Sequence, residues 1–111
     1  MSETTKSTAI NLGAVANISL GQGRCFVVNG ELITVFRQRD GQLFASQDRC
    51  PHKGGPLSEG VVGGGKVICP LHAHKFDLGS GQGSEAGESI KTYAVSESGG
   101  EIILQFGDSR G

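Results

Sequence analysis

The chain lacks tryptophan and has one tyrosine, one methionine and three prolines among 111 residues. No apolar run reaches about 18 residues, so the sequence predicts no transmembrane helix. The formal net charge is −1, and this balance excludes the strongly basic composition expected of a protein that binds nucleic acid or an anionic membrane. Three cysteines, an odd number, argue against a closed disulfide framework.

The N-terminal segment is polar and rich in serine and threonine, and it lacks the apolar stretch of a secretory signal. We therefore predict a flexible tail over residues 1–9 and a cytoplasmic location. The remaining length suits one domain with one modest core, which we place at residues 10–107.

Short apolar runs separated by turn signals predict an all-β fold of antiparallel sheets. Asn29-Gly30 separates two runs rich in β-branched residues, and this pair is a strong signal for a hairpin. The glycines at 63–65 and 99–100 predict two further hairpins. The chain has 19 glycines in all, which suits a fold with many tight turns.

Two short segments each carry one cysteine and one histidine: Cys50-Pro51-His52 and Cys69-Pro70-Leu71-His72, with sixteen residues between them. Each begins a loop after a predicted strand, so two loops are expected to meet at their tips around a metal centre. The four ligands suit either a tetrahedral zinc site or a two-iron cluster with two cysteines on one iron and two histidines on the other. The zinc fingers that use this ligand set pair cysteine with cysteine, whereas each segment here mixes the two types, which favours the two-iron cluster.

The two segments and their surroundings resemble the Rieske 2Fe–2S ferredoxin family. The stretch 54–60 is similar to the segment that follows the first ligand pair, and 76–81 to the strand and turn after the second; the resemblance covers roughly residues 11–106. It implies a Rieske fold, in which antiparallel sheets form a sandwich or barrel and a small cluster-binding subdomain, about 48–78, is inserted. It also implies one-electron transfer through one 2Fe–2S cluster whose ligands are Cys50, His52, Cys69 and His72.

This resemblance implies a non-catalytic component of a larger oxidoreductase. The segments are most similar to the small subunit of assimilatory NAD(P)H nitrite reductase, which implies a role in nitrate assimilation beside a large subunit with flavin and sirohaem. An alternative is the ferredoxin of an aromatic-ring dioxygenase system, which serves a flavoprotein reductase and a terminal oxygenase. Those ferredoxins often carry tryptophan where Leu71 stands here. A zinc-stabilised structural or interaction module is a third hypothesis.

The same resemblance predicts a low reduction potential. In the Rieske proteins of respiratory complexes, a disulfide joins the two loops and two hydroxyl groups donate hydrogen bonds to the cluster sulfurs. The disulfide positions are occupied here by Gly54 and Leu71, and the hydroxyl positions by His74 and Phe76. Because Phe76 has no hydroxyl group, we predict a midpoint near the lower end of the roughly −150 to +300 mV range of Rieske centres.

Two further residues are candidates for other roles. Cys25 lies in an apolar run, and we predict that it is a small core residue. His74 stands outside the four-ligand pattern, and we predict that it lies beside the cluster or at the surface and is not a ligand.

Overall fold

The computed structural model describes residues 8–49, 56–69, 74–84 and 89–106. Within them the chain forms nine strands and two single-turn 3-10 helices. The strands are β1 (Thr8–Ala14), β2 (Gln22–Val28), β3 (Glu31–Arg37), β4 (Leu43–Gln47), β5 (Val61–Gly63), β6 (Lys66–Ile68), β7 (Lys75–Asp77), β8 (Thr92–Ser98) and β9 (Glu101–Phe106). The 3-10 helices are Val15–Asn17 and Leu57–Glu59. No helix in these ranges is long and apolar enough to cross a membrane.

The strands form two antiparallel sheets, which confirms the predicted all-β fold. The larger sheet has the order β1-β9-β8-β4-β3-β2, and the smaller sheet has the order β5-β6-β7. The smaller sheet lies wholly within the stretch 48–78 that the sequence analysis assigned to a cluster-binding subdomain. It is therefore an insertion between β4 and β8, two strands that pair with each other in the larger sheet.

The first strand, β1, was not predicted, and it begins inside the segment that was assigned to a flexible tail. Thr8 and Ala9 were assigned to a flexible tail, but they belong to β1 and pair with Phe106 and Gln105 of β9. The polar composition of the segment concealed a period-two pattern in which Ile10 and Leu12 pack against the core. Residues 1–7 of the predicted tail lie outside the described residues.

The strand β3 is buried on both faces and separates two hydrophobic clusters. Ile33 and Val35 belong to the cluster of the larger sheet, where they pack with Ile102, Leu104 and others. Phe36 points to the opposite face and belongs to the cluster that contains the small sheet. Thr34 shares that face with Phe36 because side chains two residues apart in a strand lie on the same side. The inserted sheet thus rests directly on β3.

The small sheet has one buried and one exposed face. Val62, Val67 and Phe76 lie opposite one another in adjacent strands, and all three are buried. The neighbouring row, Val61, Ile68 and Lys75, faces outward. This alternation orients β6 so that its buried face continues into Cys69, the residue that follows the strand.

The hairpin predicted at Asn29-Gly30 is present between β2 and β3. Both residues have positive φ, 50° for Asn29 and 82° for Gly30, as a two-residue turn of type I′ requires. The hairpin at Gly64-Gly65 has the same signs of φ, 60° and 77°, and joins β5 to β6. These turns determine which residues pair across the hairpins, including the Val62–Val67 pair beneath the candidate site.

The single tyrosine reports on the folded state of the large sheet. Its hydroxyl group donates a hydrogen bond to Glu31 Oε1 at 3.1 Å. Burial, reinforced by Glu31, disfavours the phenolate and raises the pKa of Tyr93 to about 12. We expect tyrosinate absorbance to appear with a midpoint near that pH, and Glu31→Gln to lower the midpoint.

The same shift affects stability at alkaline pH. The folded protein holds the Tyr93 proton more tightly than the unfolded chain, whose tyrosine has a pKa of 10.0. The free energy of unfolding should therefore fall as the pH rises from about 10 to about 12. A tyrosinate midpoint at the ordinary value in the folded protein would contradict the assigned hydrogen bond.

Candidate metal centre

The second Cys-His segment starts at the end of β6. Residues Ile68 and Lys75 form the last pair between β6 and β7. Beyond them, the Cys69 N–H donates a hydrogen bond to the carbonyl oxygen of His74 at 2.8 Å. Residues 70–73 are therefore flanked by two residues, Cys69 and His74, that a backbone hydrogen bond joins.

The Cys69 side chain lies in the hydrophobic core at the end of β6. Only 1% of the residue is exposed, and it packs in one cluster with Leu57, Val67 and Phe76. Its sulfur is not part of a disulfide. The Cys69 thiol is therefore protected from solvent, and its position is set by the side chains that pack around it.

The first Cys-His segment is also closed at its base. Arg49 and Pro56 form an isolated β-bridge on either side of residues 50–55. The Leu57 N–H donates a hydrogen bond of 2.6 Å to the carbonyl oxygen of Asp48. The chain thus enters and leaves this segment at two adjacent positions, as it does at the second segment.

Gly60 brings the bases of the two segments together. A Cβ atom at this position would lie 2.2 Å from the carbonyl oxygen of Ile68 and 3.1 Å from Val67 Cγ2. Its φ is −80°, which any residue adopts, so the requirement for glycine here is steric. Since Ile68 directly precedes Cys69, this close approach places the return of the first segment against the start of the second.

Three of the four predicted ligands, Cys50, His52 and His72, lie outside the described residues. Among the residues that the structure describes, no group of three or more His, Cys, Asp or Glu side chains is arranged to hold a metal ion. The four-ligand assignment therefore stays a prediction, and Cys69 is the member whose surroundings are known.

Two other candidates are placed by the structure. The prediction that Cys25 is a core residue is wrong, because it lies in β2 with its side chain only partly buried. Burial, with a smaller contribution from Asp48, raises the pKa of the Cys25 thiol. His74 is half-buried directly before β7, and its carbonyl oxygen accepts the hydrogen bond from the Cys69 N–H.

The surroundings of Cys69 fit a Rieske cluster. Such a cluster takes two thiolates and two neutral imidazoles from two loops that approach each other. Both loop bases are closed by hydrogen bonds, the two bases touch at Gly60, and the Cys69 sulfur is free and buried. The contributions of Gly60 and Asp48 were not predicted, because their only sequence signal is their position near the Cys-His segments.

Comparison with known proteins supports the same interpretation. Residues 8–94 match the model of the Rieske 2Fe-2S domain family. The chain is 33% identical over 109 residues to the anthranilate 1,2-dioxygenase ferredoxin subunit of Burkholderia cepacia, which covers 96% of this chain and all of that protein. It is 40% identical over 90 residues to the 4beta-methylsterol monooxygenase of Methylococcus capsulatus, covering 71% of this chain. The chain spans only 24% of that larger protein.

Two solved structures share the fold over nearly their whole length. One is assigned as the small subunit of an NADPH nitrite reductase, with a TM-score of 0.81, 26% identity and coverage of 89% of this chain and 99% of that chain. The other is the ferredoxin of carbazole 1,9a-dioxygenase from Nocardioides aromaticivorans, with a TM-score of 0.79, 26% identity and coverage of 89% and 98%. This chain is a member of the Rieske 2Fe-2S domain family, and its cofactor is a Rieske 2Fe–2S cluster.

Proposed function

We propose that this protein carries single electrons between redox partners through a cluster held by Cys50, His52, Cys69 and His72. The observation that carries the proposal is the free, buried thiol of Cys69, which lies where two hydrogen-bonded loop bases meet. In this assignment the two cysteines bind one iron and the two histidines bind the other, as is general for Rieske centres. The chain supplies the ligands, and the core beneath Cys69 keeps water away from one side of the site.

The charge of the ligand set explains why such a centre accepts an electron readily. Two ferric ions, two sulfides and two thiolates sum to zero when both imidazoles are neutral. A cluster with four thiolates carries two negative charges in the same state, so its reduction is harder. This difference accounts for potentials of roughly −150 to +300 mV, against about −400 mV for plant-type ferredoxins.

Metal and spectroscopic analysis of the purified protein tests the proposal. We expect two irons and two sulfides per chain and, after reduction, the electron paramagnetic resonance (EPR) signal of a Rieske centre. One equivalent of zinc without iron would instead support a structural zinc module and would overturn the proposal.

The potential of the centre is expected to lie near the lower end of the Rieske range. The side chain at position 76 is a phenylalanine that is fully buried in the cluster of residues around Cys69. It has no hydroxyl group with which to donate a hydrogen bond to a cluster sulfur, and such hydrogen bonds raise the potential. A potentiometric titration followed by EPR measures the midpoint, and a value above about +100 mV would contradict the prediction.

We further propose that the electron acceptor is the flavin and sirohaem large subunit of a nitrite reductase, with a role in nitrate assimilation. The similarity of residues 50–60 to nitrite reductase small subunits and the presence of Leu71 favour this partner. The solved small-subunit structure, which has nearly the same length, also supports it. The cytoplasmic location stays a prediction from the N-terminal sequence.

A second candidate is the ferredoxin of an aromatic-ring dioxygenase system. The 33% identity to the anthranilate dioxygenase ferredoxin over essentially both full chains favours it. Reconstitution separates the two candidates. We expect the protein to restore nitrite-dependent NAD(P)H oxidation to a large subunit that lacks its own Rieske component. Electron transfer instead from a flavoprotein reductase to a terminal oxygenase, with no effect on nitrite reduction, would favour the second candidate.

A further inference from the structure

A buried carboxylate lies immediately before the first ligand segment. Asp48 stands two residues before Cys50, and only 6% of it is exposed. A buried carboxylate is costly unless it is hydrogen-bonded. Asp48 Oδ1 accepts two hydrogen bonds, one of 2.6 Å from the hydroxyl group of Thr34 and one of 3.0 Å from the backbone N–H of Ser58. Thr34 is itself fully buried, so this bond is shielded from water.

The backbone of Asp48 makes two more hydrogen bonds. Its N–H donates to the carbonyl oxygen of Leu32 at 3.1 Å, and its carbonyl oxygen accepts from the N–H of Leu57 at 2.6 Å. One residue therefore joins three elements: the strand β3, the end of β4 and the 3-10 helix Leu57–Glu59. The last of these is the point at which the chain returns from residues 50–55.

The side-chain bonds give Asp48 a second hydrogen bond to each of the two elements that its backbone bonds reach, β3 and the 3-10 helix. The bond to Ser58 ties the exit of the segment to the carboxylate, and the bond to Thr34 ties that carboxylate to β3, which rests between the two cores. The first segment is thereby attached to β3, and Phe36 of the same strand packs in the hydrophobic core around Cys69. The strand β3 thus contacts the bases of both Cys-His segments.

We propose that Asp48 is a positioning residue for the 2Fe–2S cluster: its carboxylate fastens the residues on both sides of the first ligand segment to β3 and so fixes the points from which that segment binds the cluster. This inference rests on the ligand assignment of the proposed function. Groups that hold metal ligands in place typically contribute strongly to metal retention. When both ends of a ligand-bearing segment are fixed by hydrogen bonds, its ligands are also kept in the geometry that metal binding requires.

Four variants test this role in the reconstituted holoprotein. Asp48→Ala removes the bonds from Thr34 and Ser58 and also the contact with the Cys25 thiol, whereas Asp48→Asn keeps an oxygen that accepts the first two. Thr34→Val removes the side-chain bond between β3 and Asp48, leaves the backbone bond to Leu32, and keeps the size of the side chain. The control is Asp40→Ala in the turn between β3 and β4, because Asp40 Oδ1 also accepts two hydrogen bonds, from Gln42 N–H and Gln38 Nε2.

The measurements are iron release to a chelator, the EPR line shape, and the unfolding of each apoprotein. We expect Asp48→Ala to release iron at least about tenfold faster than the wild type, with shifted or broadened EPR features. Thr34→Val should change both properties in the same direction. Asp48→Asn and Asp40→Ala should stay close to the wild type.

Wild-type release and an unchanged spectrum in Asp48→Ala would overturn the inference, even if its apoprotein unfolds more easily, because that pattern marks a purely stabilising residue. Loss of cluster in Asp48→Asn equal to that in Asp48→Ala would also overturn it, since hydrogen-bond geometry would then not be the cause. If Asp48→Ala does not fold, Thr34→Val decides in the same way. A wild-type protein without a Rieske signal would refute the proposed function itself, whereas a normal wild-type signal with unaffected variants refutes only the role of Asp48.

Discussion

Replacement of Cys69 by alanine is expected to abolish the Rieske EPR signal and the bound iron. The variant loses one of two thiolates, and the remaining cysteine and two histidines do not complete a two-iron centre. Cys69 is almost fully buried, so no solvent-exposed side chain is placed to supply a ligand in its stead. Iron and sulfide analysis, together with EPR of the reduced protein, measures the effect.

The chain offers a matched control in its other described cysteine. Cys25 lies in β2, is partly buried and is free, so Cys25→Ala removes a thiol of the same kind from a different place. The Cys25 thiol lies beside the Asp48 side chain, but the hydrogen bonds that Asp48 accepts from Thr34 and Ser58 remain in Cys25→Ala. We therefore expect Cys25→Ala to keep the cluster signal. A normal Rieske signal in Cys69→Ala would refute the ligand assignment.

Cluster loss in Cys69→Ala is also expected to lower stability indirectly. Binding of a metal centre by the folded state adds to the free energy of unfolding. The loss of the sulfur itself costs only about 1 kcal/mol of apolar burial. The apoproteins of the variant and the wild type should therefore unfold at similar denaturant concentrations, and only the wild type should gain stability on cluster reconstitution.

Replacement of Gly60 by alanine is expected to destabilise the protein and to lower its cluster content. The added Cβ would lie 2.2 Å from the carbonyl oxygen of Ile68, which is backbone and has little freedom to move. Overpacking of this kind costs typically about 1–3 kcal/mol. Relief of the clash would separate the 3-10 helix from β6, and with it the base of one ligand segment from the base of the other. Denaturant unfolding of the apoprotein and iron content after reconstitution measure the two effects.

Gly63 provides the control for this prediction. It is exposed in β5, three residues along the chain, and a Cβ atom there would meet nothing within 4 Å. Its φ is not in the left-handed region, so alanine is compatible with its backbone. We expect Gly63→Ala to retain wild-type stability and cluster content. Equal behaviour of the two variants would contradict the assigned steric role of Gly60.

Much of this architecture was predictable because its signals are local. A two-residue turn such as Asn29-Gly30 demands positive φ, and few residue types adopt it, so the hairpins are visible in the chain itself. The predicted ligand set is visible for a similar reason: a cysteine and a histidine separated by only one or two residues, in each of two short segments, have few purely structural explanations. The family match then identified the cofactor that this ligand set serves.

Other features were not predictable from local signals. β1 was not predicted, because it is stabilised by pairing with β9, almost the whole chain length away. Cys25 was misplaced because an apolar run does not say which face of a strand meets the core. Asp48 and Gly60 resemble any surface aspartate and any turn glycine until the folded chain supplies their partners.

By itself, the sequence determined the predicted ligand set, with two thiols and two imidazoles in paired segments, as well as the hairpins with their turns and an all-β framework. These depend on residue type and on spacing along the chain. Only the tertiary structure decided how the ligand segments are supported, because the bonds of Asp48 to Thr34 and Ser58 span 14 and 10 residues. The contact of Gly60 with Ile68 likewise forms only when the inserted sheet packs against the returning chain. Such contacts arise from packing between elements, and no local pattern in the chain encodes them.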